Sequence, residues 1–150
     1  MSYNPQNPNG QATSANSSPV VIASDQSAVA VTGAVNVWPG TTGGWSVSSQ
    51  TALSNTKVSV KASAGTLGGY MFYNSNAAAT YIQVFDVASG SVTVGVTTPT
   101  YVIPLPPASA ANIEFTLGIN HATAMTVAAT TTATGSSAPS TALTGFFLFK

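Results

Sequence analysis

The sequence is almost without charge. Of 150 residues only Lys57, Lys61, Lys150, Asp25, Asp86 and Glu114 are formally charged. That is 4 % of the chain, where globular domains carry roughly 25 %, and arginine is absent altogether. Three lysines balanced by three acids cannot build a phosphate-neutralising patch, so a nucleic-acid partner is excluded. Cysteine is also missing, which removes disulfides, thiolate nucleophiles and cysteine metal sites. No stretch of about 18 apolar residues exists, so no membrane-spanning segment is expected. The opening MSYNPQNPNG lacks the basic head and apolar stretch of a secretory signal.

Hydrophobic residues, at 44 %, are abundant enough for a sizeable core. The polar remainder is dominated by serine, threonine and amides, and the net charge is zero. A surface of that kind suits a protein packed against partners better than a free monomer, which ordinarily keeps net charge.

Residues 1 to about 19 carry Pro5, Pro8 and Pro19 among small polar residues and show no periodicity, as an extended arm would. Val20, Val21 and Ile22 follow, then an alternation at Val29, Val31, Val35 and Val37 that ends in Trp38 and Pro39-Gly40. From residue 51 the period-2 patterning becomes regular. Strands are expected at 56–62, 70–73, 80–87, 92–96, 101–103, 113–119, 125–132 and 143–149. Residues 80–87 are apolar on both faces and should be interior. The prolines after Tyr101-Val102-Ile103 place that strand at an edge. Ile113, Phe115, Leu117 and Ile119 should form one inward face, and Val92, Val94 and Val96 another. Ala77-Ala78-Ala79 is too short to nucleate a helix. About eight strands at this spacing predict an all-β fold, a β-sandwich of jelly-roll type over 51–150, preceded by an extended N-terminal arm over 1–50 that holds one or two short strands.

Three stretches resemble virion structural proteins of tailed bacteriophages. Ser18-Pro19-Val20-Val21-Ile22-Ala23-Ser24-Asp25-Gln26-Ser27-Ala28-Val29 is similar to a segment near their N-termini. Val58 to Leu67, continued by Tyr70 to Asn74, resembles the opening of a β-sandwich domain they carry. Tyr81 to Asp86, Pro104-Leu105-Pro106 and Phe115 to Ile119 match later strands in order and spacing. The resemblance covers about residues 18 to 150. Small single-domain members look most like capsid decoration (cement) proteins, jelly-roll oligomers on the outer surface of the head with an extended arm. It therefore implies a non-enzymatic virion protein without cofactor, whose partners are the major capsid protein and further copies of itself, most simply as a trimer. A low-copy neck or tail-associated protein is the nearest alternative, and a carbohydrate-binding module for host attachment is the next.

Residues with chemical potential are few. His121, the lone histidine, fits a turn histidine better than a general base or metal ligand, since no ligand set surrounds it in sequence. Asp86 and Glu114 could pair across a glycosidic bond, but fit solvent-facing strand charges better. Trp38 and Trp45 flank a glycine turn and could stack on sugar, though anchoring at an interface or core packing suits them more. The interface expected of the arm comprises Val20, Val21, Ile22, Val29, Val31, Val35, Val37, Trp38 and Trp45, because an extended apolar segment gains stability by joining another subunit's sheet.

Overall fold

The computed structural model describes residues 44–150. Eight strands follow one another: β1 (Ser46–Leu53), β2 (Val58–Lys61), β3 (Gly65–Asn74), β4 (Thr80–Phe85), β5 (Tyr101–Leu105), β6 (Ser109–His121), β7 (Met125–Thr130) and β8 (Leu143–Phe149). The only helical element among them is a single 3-10 turn, Ser89–Ser91. The strands form two four-stranded antiparallel sheets, A in the order β1-β8-β3-β6 and B in the order β2-β7-β4-β5. β1 pairs with β8, β2 with β7, β3 with β6 and β4 with β5. The chain is thus one long antiparallel ribbon folded over on itself, the topology of an eight-stranded jelly roll.

Alternation explains which side chains meet between the sheets. Sheet A contributes Leu67, Tyr70, Phe72, Leu143 and Phe147, and sheet B contributes Ile82, Val84, Ile103, Leu105, Met125 and Val127. The Phe72 and Phe147 rings lie 4.7 Å apart at 54°, a tilted pair in the middle of this layer. β4 lies between β7 and β5, and β5 is an edge, as the doubly apolar run and the prolines require. At the far end of β3 the buried Asn74 donates to the carbonyls of Leu105 and Pro106, tying the end of β3 to the end of β5.

Four expectations need correction. Residues 92–96 are not a strand. Val92 is buried with Phe85 and Ala128 on the outer side of sheet B, and Val94 packs beside them. Val92 and Val94 thus form an apolar face that caps a sheet instead of joining one, while Val96 is exposed. Second, β6 does not turn Ile113, Phe115, Leu117 and Ile119 inward together. Phe115 and Ile119 pack against the core, whereas Ile113 is half exposed and Leu117 is 94 % exposed. For Leu117 the cause is a register shift, since Leu67 faces Ile119 while Gly69 already faces Glu114. Ile113 stays in register opposite Tyr70, on an edge strand. The extra β6 residues loop out at Gly118, whose φ of +71° favours glycine. His121 and Asp86, corrected below, are the other two.

β1 begins at Ser46, ahead of residue 51, and its inward positions before the bulge that leads to the buried Leu53 are polar. Gln50 is buried, and its Nε2 donates to Ser48 Oγ at 2.9 Å.

Candidate functional site

Val20, Val21, Ile22, Val29, Val31, Val35, Val37 and Trp38 lie outside the described residues. Trp45, just before β1, is half-buried. Its ring rests over Gly68 of β3, where a Cβ would collide with it, and it also reaches Gly118. The Nζ of Lys150 stands 5.3 Å from the ring centroid, a cation–π contact. The residue is thereby tied to its own sandwich, across the register shift of β3 and β6.

His121 closes β6 and is buried, with 1 % of its surface exposed. Its Nδ1 lies 3.2 Å from the carbonyl oxygen of Ile119, which can only accept, so Nδ1 carries the proton. Nε2 then accepts from the Tyr101 hydroxyl at 3.1 Å. Burial lowers the His121 pKa, against opposing effects of the Ile119 hydrogen bond and the Asp86 charge. Burial, followed by the Asp86 charge, raises that of Tyr101. Both ring nitrogens are engaged, so the imidazole is a neutral structural link between β6 and β5 rather than a turn residue.

Asp86, directly after β4, does not simply face solvent. Its Oδ1 accepts from the N–H groups of Thr123 at 2.7 Å and Ala124 at 3.1 Å, and its Oδ2 from that of Ala122 at 2.8 Å. Chiefly the Thr123 bond lowers its pKa, partly offset by desolvation. The carboxylate clamps the β6–β7 turn. Glu114 sits exposed on β6, in the other sheet, so the two acids are not arranged as a catalytic pair. Among the described residues no three His, Asp or Glu side chains gather as a metal site.

The outer faces of the two sheets differ. On sheet B, Gln83, Thr126 and Thr130 point outward and are nonetheless fully buried. Segment 86–100 covers one part through Val92 and Val94. Segment 131–140 covers another, with the Gly135 carbonyl accepting from Gln83 Nε2 at 2.8 Å. Lys57 Nζ, donating to the Val92 carbonyl at 2.6 Å, and Asn55 Nδ2, donating to Ser136, pin both segments to the β1–β2 turn.

On sheet A no described segment plays that part. Its outward rows run Val47–Leu148–Gly69–Glu114, Ser49–Phe146–Met71–Asn112 and Thr144–Tyr73–Ala110 across the strands. Val47 is 61 %, Met71 49 % and Tyr73 52 % exposed. Between Met71, Tyr73, Phe146 and Ala110 lies a groove of about 340 Å³. Glu114 is the only charged residue in these rows, and it stands at their margin. Sequence reasoning missed this face because the alternation that marks a half-buried strand leaves open that its second face is also apolar. The signal was Phe146 and Leu148 interleaved with Phe147 and Phe149 in the last strand.

Comparison with protein-family models, with curated proteins and with solved structures finds no match for this chain.

Proposed function

We propose that this protein is a structural virion component, a decoration protein that binds the outer surface of a tailed-phage head through the major capsid protein and stabilises it. The observation that carries the reading is the nearly uncharged outer face of sheet A, which no described segment covers, on a sandwich whose other sheet has its central strands covered by loops. Such a molecule offers a surface for adhesion and no cluster for chemistry. The resemblance of residues 18–29, 58–67, 70–74, 81–86, 104–106 and 115–119 to tailed-phage virion proteins supplies the setting. In this reading the segment ahead of β1 adds contacts along neighbouring subunits. The copies form a closed homo-oligomer, the trimer of a local three-fold position or the dimer of a two-fold.

The mechanism is mechanical. A protein that binds the assembled shell and not its separated parts adds its binding free energy to the stability of the shell. Contacts made by hydroxyl, amide and apolar groups lose little to ionic screening. Capsid occupancy should therefore stay nearly constant between low and high salt, and a steep loss on adding salt would show that charge holds the protein in place.

The deciding experiment is copy number per particle, by quantitative mass spectrometry against the major capsid protein. Hundreds of copies in fixed ratio to capsid subunits support decoration. About a dozen, the size of a single closed ring, would move the protein to the neck or tail. Absence from particles would refute the virion reading.

A further inference from the structure

We infer that the outer face of sheet A is the contact between two copies of this chain, packed sheet against sheet across a two-fold axis near Met71 and Phe146. The inference deepens the homo-oligomer of the proposed function, but it needs no capsid and holds for any role of the chain.

Three observations point to a second copy as the occupant. The first is the contrast between the faces. The central strands of sheet B are covered by segments 86–100 and 131–140, whereas no described segment covers the outer face of sheet A. The second is charge. An isologous contact sets every residue near its own copy or a neighbour's, so charged groups at its centre would meet like charges. The central rows hold none, and Glu114 at the margin stays clear of the axis. A chain of zero net charge also approaches its copy without long-range repulsion.

The third observation is size. Four strands about 4.8 Å apart and roughly six residues long make a face of about 19 by 20 Å. With side-chain relief that is on the order of 600 Å² per copy, or about 1,200 Å² for the pair, at the lower limit of stable specific interfaces. Its aromatic and methionine content is that of an interface core. Two twisted sheets packed this way cross at about −30°, which lets Phe146 and Met71 of one copy enter the other copy's groove. The contact pairs copies, so the assembly in solution is a dimer of micromolar strength.

The test uses the full chain and two variants at an exposed position, Met71→Lys and Met71→Glu. Sedimentation velocity from about 1 µM to about 1 mM should show wild-type chain passing from monomer to dimer. Each variant alone should associate at least about tenfold more weakly, because like charges then face each other at the axis. An equimolar mixture of the two should regain the dimer, which a merely unfolded variant could not do. A wild-type chain that stays monomeric throughout overturns the inference. So does wild-type association by both single variants, or a mixture that remains monomeric. Copy number in particles is read separately, so loss of this contact and loss of the virion role are distinguishable.

Discussion

Replacing Asp86 by Asn should destabilise the sandwich in a way that depends on pH. In the wild type two carboxylate oxygens accept three backbone N–H groups from residues 122–124. An asparagine amide can keep its oxygen toward Thr123 and Ala124, but its NH₂ then faces the Ala122 N–H, donor against donor. One bond is lost and two lose their charge assistance. Charged hydrogen bonds contribute about 1.5–3 kcal/mol each, and access of water to this turn reduces the penalty, so the expected cost is about 2–3 kcal/mol at pH 7. At a urea slope of about 1.3 kcal/mol per M, the unfolding midpoint falls by about 2 M.

The pH dependence has a definite sign. The folded pKa of Asp86 lies below its ordinary value of 3.8, so the unfolded chain binds the proton more readily. The Asp86 contribution is therefore fully present above pH 3.8 and is lost as pH falls through the folded pKa. Urea titrations of both proteins from pH 7 downward should show the gap between them narrowing only below pH 4, toward about pH 2. A gap under about 0.5 kcal/mol at pH 7, or one that persists unchanged to about pH 2, would refute the clamp.

Three further outcomes follow from the packing. Phe147→Ala empties the centre of the core and breaks the tilted pair with Phe72, so equilibrium unfolding should register a loss of about 3–5 kcal/mol. Gly68→Ala pushes a methyl group into the Trp45 ring and should cost about 1–3 kcal/mol, with a red-shifted Trp45 emission in a Trp38→Phe background. His121 is buried neutral and its folded pKa lies below 6.5, so its contribution is present above that pH and is lost as pH falls through the folded value. An NMR titration should place its midpoint below 6.5, and a midpoint above it would contradict a ring held neutral by burial.

The strands whose apolar residues face the core were legible. β4, β7 and β8 announce themselves through β-branched and aromatic alternation, and β2 does so through Val58 and Val60. β1 was hidden because its inward positions ahead of Leu53 are Ser48 and Gln50, which bond to each other instead of packing. The false strand at 92–96 has a true apolar face, and only the position of sheet B reveals that this face is a lid. His121 and Asp86 were misread for a similar reason. Sheet packing brings Tyr101 of β5 to His121 of β6, and the pairing of β4 with β7 brings the N–H groups of 122–124 to Asp86, neither of which sequence spacing encodes. The bare face of sheet A depends on which loops cover which sheet, a property of the assembled layers.

The strand order also fixes when the protein can fold. β8 comes last in sequence yet lies between β1 and β3, and the backbone of Lys150 just beyond it exchanges hydrogen bonds with Thr66. The ribbon can zip early at its β4–β5 end, where the paired strands are close in sequence. At its other end β1, made first, has no partner until β8 has been synthesised. Until then β3 lacks a neighbour and the hydrophobic faces of both sheets stand open to water. Closure is thus a late, long-range event of the slow kind expected for sandwiches. A chain interrupted just before residue 143 holds every strand of sheet B but leaves sheet A without β8 and Phe72 without Phe147, a state exposed to aggregation and proteolysis.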